Sequence, residues 1–260
     1  MRMKPEGGFN KDALKLLYVE VFPAHEWDPK EIDSFWVLST GRCGTATLDR
    51  LLALSPTVAS FHEPMPRLHR YHALALNDQR NLPTSFEDLL YDCRIDLMSA
   101  MKQMGFKYAE CQHRWTPYAR CIKSVFPNTK FIYLRRDMDE FVSSALQWHW
   151  YDVGREKYAP PEYKDDEGKL LAWFWCKTNE FIQSFLNTIP GEDWMFLDFN
   201  SIRKHDWEVF IDMYKWMDVE MPSINKVEFI LNEEINRGRR QKIKKGWGDF
   251  DERARAICER

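Results

Sequence analysis

Short apolar runs alternate along this chain with longer amphipathic segments. Four runs of about 4–6 residues are rich in β-branched or aromatic residues and bounded by turn formers, which is typical of buried parallel strands. These predicted strands are residues 35–38, 57–60, 130–134 and 194–199, with a fifth candidate at residues 107–110. The pattern therefore predicts several short, fully buried strands.

Between the runs, apolar residues recur at the spacing of a helix face. The helical segments are residues 48–52, 141–149, 170–189 and 207–214. Asp137 or Asp139 is placed to cap the second of them, and Pro190-Gly191 ends the third. Strands that alternate with helices predict an α/β fold: a three-layer sandwich with a central, mostly parallel sheet flanked by helices.

No internal repeat or low-complexity linker divides the 260 residues, so we expect a single domain over residues 1–260 with its core at about 33–217. Residues 152–169 contain Pro160-Pro161 and a charged run, which favours an exposed, mobile loop.

Composition excludes several classes of protein. Apolar residues make up 44% and aromatic residues 15% of the chain, which excludes a disordered protein. The net charge of −3 provides no basic field for nucleic acid. Because no apolar run approaches the ~20 residues of a membrane span and no signal core follows Met1, we expect a soluble, cytoplasmic protein. The six cysteines form no CxxC pair, so reduced thiols are expected rather than a disulfide framework.

The segment 35–48 carries the strongest functional signal. A buried strand leads into a turn that contains Gly41 and Gly44 and then directly into a helix. The first backbone N–H groups of such a helix are unpaired and can bind an anion, and the glycines let the backbone curl around it. Arg42 adds a positive charge, and Thr45 and Thr47 add hydroxyl donors.

Two common nucleotide motifs are absent from this loop. A Walker A motif needs Lys-Ser/Thr after its last glycine, whereas Gly44 is followed by Thr45-Ala46. The Rossmann pattern G-x-G-x-x-G is missing as well. A strand-to-helix turn without a ligand stays open as an alternative.

A second cationic site follows the run at 130–134. The strand ends in Arg135-Arg136, and Ser144 lies eight positions after Arg136, or roughly two helical turns. The two residues could share an anion at the carboxyl end of a strand, where open α/β sheets bind ligands. Alternatively, the two arginines pair with nearby acids at positions 137, 139 or 140.

Together these segments resemble the PAPS-dependent sulfotransferases, where PAPS is 3′-phosphoadenosine 5′-phosphosulfate. The resemblance implies a P-loop-NTPase-like sulfotransferase fold. By motif position it assigns the 5′-phosphosulfate to the loop residues and the 3′-phosphate to Arg136 and Ser144. The loop residues are Arg42, Cys43, Gly44, Thr45, Ala46 and Thr47. The segments Leu54-Ser55-Pro56-Thr57-Val58, Phe61-His62-Glu63-Pro64 and Phe126-Pro127-Asn128-Thr129-Lys130 extend the likeness.

This chain departs from the family pattern at a few positions. Cys43 replaces the usual serine, Ala46 replaces a common hydroxyl residue, and Gly41 stands where proline is frequent. Since the backbone amides remain, we expect cofactor binding to survive.

Residues 237–250 form a basic segment similar to the loop that many cytosolic sulfotransferases fold over the 3′-phosphate. In that comparison Lys244, Lys245 and Gly246 match the cofactor-covering motif. A solvated basic loop is the equal alternative for this segment.

Sulfuryl transfer needs charge stabilisation and a base. Arg42 is expected to act on the leaving oxygens through charge and hydrogen bonds, because an arginine cannot donate its proton, and no metal is then required. Glu63 is the first choice for the base that activates the acceptor hydroxyl, and His62 is the second. Alternatively, His62 only braces the loop and Glu63 pairs with Arg67. His113 ranks third as a residue of the acceptor pocket.

The resemblance predicts an enzyme that transfers the sulfuryl group of PAPS to a hydroxyl, or an amine, of a small-molecule or carbohydrate acceptor, and releases adenosine 3′,5′-bisphosphate (PAP). Partners of nucleic acid or membrane type are not expected. Aromatic residues near Trp148 and Trp173 could stack on an acceptor but more often belong to a core. A non-catalytic nucleotide-binding module and an ATP-dependent P-loop phosphotransferase are the alternatives.

Overall fold

A computed structural model describes residues 28–65, 85–147, 163, 165–233 and 249–259. Its core is a five-stranded sheet in which every pairing is parallel. The strands are β1 (Ser34–Leu38), β2 (Val58–Phe61), β3 (Lys107–Glu110), β4 (Thr129–Arg135) and β5 (Trp194–Asp198), in the order β2-β3-β1-β4-β5. All five predicted strands are confirmed, and the sheet is parallel as the sequence indicates.

Nine α-helices lie in the described part of the chain. They are α1 (Thr45–Leu52), α2 (Ser85–Gln103), α3 (Ala119–Val125), α4 (Met138–Gln147), α5 (Glu167–Leu186), α6 (Phe199–Arg203), α7 (Trp207–Trp216), α8 (Ile224–Asn232) and α9 (Asp249–Cys258). A 3₁₀ helix, His113–Tyr118, follows β3.

Helices cover both faces of the sheet. In β1, alternate side chains point to opposite faces, so Phe35 and Val37 join one apolar cluster while Trp36 and Leu38 join another. The first cluster includes residues of α1, α7 and α8, and the second includes residues of α2, α3 and α5. These two layers of helices and the sheet form the predicted three-layer sandwich.

Side-chain caps explain where the structure departs from the predicted boundaries. Asp137, not Asp139, caps α4, because its carboxylate accepts from the amides of residues 139 and 140. Asp166 caps α5 by accepting from the Lys169 amide, so the exposed loop predicted to reach residue 169 ends earlier. Phe199 begins α6 instead of ending β5, because Asp198 accepts from the Asn200 amide.

Some predictions lie outside the described residues, among them most of the segment 152–169 and the aromatic residues 148–150. All six cysteines are described, and each is a free thiol. Within the described ranges, no helix combines the length and the apolar character that crossing a membrane requires.

Candidate active site

The loop after β1 curls sharply because three of its residues have left-handed backbone angles. The φ values are 76° at Gly41, 53° at Arg42 and 90° at Gly44. The hydroxyl of Thr116, from the 3₁₀ helix, anchors the start of the loop by accepting from the Ser39 amide at 3.0 Å and donating to the Ser39 carbonyl at 2.9 Å. The loop is therefore fixed to the 3₁₀ helix before it turns.

The N-terminus of α1 opens directly from this loop. Gly44 is the N-cap, and its carbonyl accepts the first helical hydrogen bond from Leu48 at 2.9 Å. A glycine offers no side chain to cap the amides of the first turn, and Thr45, Ala46 and Thr47 line the adjacent cleft. The amides and the helix dipole at this end favour an anion.

Gly44 is also held in close contact with an aromatic ring. A Cβ atom placed on Gly44 would lie 2.4 Å from Cε2 of Phe199. Its φ of 90° is in addition one that side chains disfavour. Both observations require glycine at this position, and they place the Phe199 ring beside the first turn of α1.

Cys43 does not face the cleft. Its thiol is buried, lies 2.9 Å from the Thr40 hydroxyl and donates to the Gly41 carbonyl at 3.1 Å. Burial raises the pKa of the Cys43 thiol, so the thiol stays neutral. The Cys43 side chain therefore stabilises the loop from inside, and a contact of Cys43 with the cofactor through its backbone stays a prediction.

Arg136 connects the end of β4 with the loop. Its Nη1 donates to the Arg42 carbonyl at 3.0 Å, and its guanidinium lies 4.6 Å from the centre of the Phe199 ring. Its Nε pairs with Glu140 at 3.2 Å, which is the acid pairing that sequence analysis left open. The indole of Trp175 donates to the Arg136 carbonyl at 2.9 Å, so this tryptophan helps to hold the backbone of Arg136 in place.

Ser144 lies in the same cleft as Arg136, and their shared binding of an anion stays a prediction. Its hydroxyl accepts from Nε of Arg42 at 3.4 Å. Burial and the nearby charge of Arg136 lower the pKa of Arg42, since two guanidinium groups repel each other. An anion between Arg42 and Arg136 would relieve this repulsion.

The turn after β2 brings the two candidate bases to the other side of the loop. Nε2 of His62 lies 3.3 Å from the hydroxyl of Thr45. Glu63 pairs with Arg114 at 2.7 Å, and both side chains are mostly buried. The alternative partner, Arg67, lies outside the described residues. Glu63 therefore pairs with an arginine, as the alternative suggested, but this arginine is Arg114 of the 3₁₀ helix.

These groups surround one open cleft of about 140 Å³. The residues that line it are Arg42, Gly44, Thr45, Ala46, Thr47, His62, Glu63, His113, Arg136, Ser144 and Phe199. All predicted loop residues except Cys43, both candidate bases and both proposed 3′-phosphate residues are thus brought together. Lys244, Lys245 and Gly246 lie outside the described residues, and their role stays a prediction.

Sequence reasoning missed Phe199 and Arg114. The apolar pattern places Phe199 at the end of a strand, although Asp198 before it is a typical helix cap. Arg114 carried no signal of its own, because its role depends on the position of the 3₁₀ helix beside the 62–65 turn.

Comparison with known families now defines the class of protein. A model of the sulfotransferase family matches residues 35–223. The chain therefore belongs to the sulfotransferase family. A search of curated proteins finds no significant match.

Solved structures show the same fold at low sequence identity. The sulfotransferase domain from the Synechococcus PCC 7002 olefin synthase is 12% identical, with a TM-score of 0.60 over 92% of this chain and 98% of that domain. The sulfotransferase domain from the curacin biosynthetic pathway is 16% identical, with a TM-score of 0.52 over 80% and 79%. A sulfotransferase from Mycobacterium tuberculosis H37Rv is 12% identical, with a TM-score of 0.53 over 96% and 80%.

Proposed function

We propose that this protein transfers the sulfuryl group of PAPS to a hydroxyl, or an amine, of a small-molecule or carbohydrate acceptor. The observation that carries this proposal is one cleft lined by two elements suited to bind anions, the loop after β1 and Arg136 after β4. Their separation is fixed by the bond from Arg136 to the Arg42 carbonyl. A nucleotide with phosphate groups on both its 3′ and 5′ positions matches two such elements.

The residues present fit the donor nucleotide. The amides at Thr45, Ala46 and Thr47, together with Arg42, would hold the 5′-phosphosulfate. Arg136 and Ser144 would hold the 3′-phosphate. Arginine suits both ends because its planar, permanent charge matches phosphate oxygens.

Catalysis would then depend on alignment, charge and a base. The new bond forms between the acceptor oxygen and sulfur, the bond from sulfur to the 5′-phosphate oxygen breaks, and PAP leaves. Arg42 and the α1 amides would stabilise the charge that develops on the leaving phosphate. Glu63 would accept the acceptor proton, and His62, beside the Thr45 hydroxyl, is the second candidate for this role.

A coupled turnover assay tests the proposal. Purified protein is incubated with PAPS and a panel of simple alcohols, phenols and sugars, and PAP release is measured alongside formation of the sulfated product. We expect both, in equal amounts, for at least one acceptor. PAP binding without any product would favour a nucleotide-binding module, and magnesium-dependent turnover of ATP would favour the phosphotransferase alternative.

A further inference from the structure

A carboxylate and a guanidinium lie fully buried behind the acceptor side of the cleft, which is the side that His62, Glu63 and His113 line. Arg94 of α2 and Glu110 at the end of β3 have no exposed side-chain surface, and their closest atoms are 2.7 Å apart. Burying two charges is costly unless both are paired and hydrogen-bonded. Such a pair therefore needs an explanation other than simple packing.

Arg94 binds the backbone next to the candidate base. Besides its two bonds to Glu110 and a bond from Nη1 to the Cys93 carbonyl at 2.9 Å, the guanidinium donates to the carbonyls of Pro64 at 3.3 Å and Met65 at 3.5 Å. These are the two residues that follow Glu63. Burial alone would lower the pKa of Arg94, but the charge of Glu110 and its hydrogen bonds raise it overall, so the fork keeps its charge.

The backbone at Glu63 needs this support. Its φ of 52° lies in the left-handed region that side chains disfavour, and the proline that follows restricts it further. A residue stays in such a conformation only when its surroundings fix it. The two carbonyl contacts of Arg94, to Pro64 and Met65, fix the chain directly after Glu63.

Glu110 also binds the 3₁₀ helix that carries the partner of Glu63. Its carboxylate accepts from the side chains of Gln112 and Trp115, which flank His113 and Arg114 in the sequence. The Tyr108 hydroxyl donates to the same carboxylate at 2.5 Å. One buried acid thus connects both segments that form the acceptor side of the cleft.

We infer that the Arg94–Glu110 pair positions Glu63, and with it His62, for the acceptor, while the bond from Arg136 to the Arg42 carbonyl holds the phosphate loop from the β4 side. This inference rests on the proposed function, because the reaction gives the positioning its purpose. Arg94 and Glu110 are positioning residues, since neither lines the cleft.

The test removes both charges together. The double variant Arg94→Met/Glu110→Gln leaves no unpaired buried charge, which would itself destabilise the fold, but it loses both carbonyl contacts. Arg94→Lys is a second variant that keeps the charge opposite Glu110 without the planar fork. Tyr108→Phe is the matched control, because it removes another bond to the same carboxylate and leaves the carbonyl contacts in place.

We expect the double variant to bind PAP like the wild type, with an unchanged KM for PAPS and a kcat lower by about 10²-fold. Arg94→Lys should also lower kcat without changing PAP binding, but by a smaller factor. Tyr108→Phe should resemble the wild type in both quantities. Wild-type kcat in the double variant, or a loss of PAP affinity parallel to the loss of kcat, would overturn the inference.

Amide hydrogen exchange separates this inference from the proposed function. In the double variant, exchange at residues 61–65 should rise about tenfold, with residues 45–48 unchanged. If the wild type never consumes PAPS, the proposed function fails, and this measurement still decides whether the pair holds the turn. Unchanged exchange at residues 61–65 would overturn the positioning role.

Discussion

Nη1 of Arg136 donates a 3.0 Å hydrogen bond to the backbone carbonyl of Arg42. This bond joins the end of β4 to the most curved part of the loop after β1. Because the two strands are neighbours in the sheet, the distance between the two cationic sites is set by the fold itself. The cleft is therefore suited to select a ligand by the spacing of its two anionic groups.

Replacement of Arg136 should affect one end of the nucleotide selectively. Arg136→Ala is expected to weaken PAP binding by about 1.5–3 kcal/mol, the typical value of a hydrogen bond to a charged group. Binding of 5′-AMP should fall by less, because there only the bond from Arg136 to the Arg42 carbonyl is lost. Isothermal titration calorimetry with both nucleotides measures the difference.

Arg135→Ala is the control for this prediction. Arg135 precedes Arg136 but stacks 4.6 Å from the Phe196 ring and donates to the Ile257 carbonyl. Arg135→Ala should therefore leave the affinities for PAP and 5′-AMP unchanged. Equal losses for PAP and 5′-AMP in Arg136→Ala would argue against the 3′-phosphate assignment.

Gly44→Ala should destabilise the protein through steric conflict as well as backbone strain. Gly105→Ala is the matched control, because Gly105 has a similar φ of 84° but no atom within 4 Å of an added Cβ. We expect Gly44→Ala to cost about 1–3 kcal/mol more than the control, the usual cost of overpacking. Urea unfolding of both variants measures this, and equal losses would show that the Phe199 ring yields without cost.

Glu63→Gln tests the choice of base. If Glu63 accepts the acceptor proton, kcat should fall about 10²–10⁴-fold while the affinity for PAP is retained. His62→Asn should have a smaller effect on kcat. Steady-state kinetics with a fixed acceptor compares the two variants, and the reverse order would assign the base to His62.

Alkaline pH should reduce stability. Burial raises the pKa of the Cys43 thiol and raises that of Cys176 to about 12, whereas an unfolded thiol titrates near ~8.5. The folded state thus keeps protons that the unfolded state releases, so stability is full below about pH 8.5 and falls as the pH rises. Urea unfolding under reducing conditions at pH 7.5 and 10 measures the loss.

Cys176→Ser isolates one of these thiols, because serine does not titrate in this range. The variant should lose less stability than the wild type between the two pH values. A protein as stable at pH 10 as at pH 7.5 would contradict this prediction.

The sequence predicted those parts of the site that depend on local pattern. Gly41, Arg42 and Gly44 between a buried run and a helix specify the loop conformation by themselves. Arg136 could be placed at the same edge because parallel strands share a direction. The strand order makes β1 and β4 neighbours and so brings Arg136 to the loop that carries Arg42.

Other parts depend on contacts between distant segments and left no local signal. Arg114 meets Glu63 only because β2 and β3 are paired, and Arg94 reaches Pro64 from another layer of the sandwich. The burial of the Cys43 side chain likewise left no local signal. A thiol packs and bonds in the apolar interior as readily as a serine bonds at a surface, and residue order alone does not distinguish the two.

Calorimetric titration of the wild type with PAP, 5′-AMP and 3′-AMP under one set of conditions tests the central claim most directly. If both cationic sites hold one nucleotide, PAP binds at least about tenfold more tightly than either monophosphate, since each end adds a charged hydrogen bond. Affinities for PAP and 5′-AMP that do not differ would contradict the two-site account.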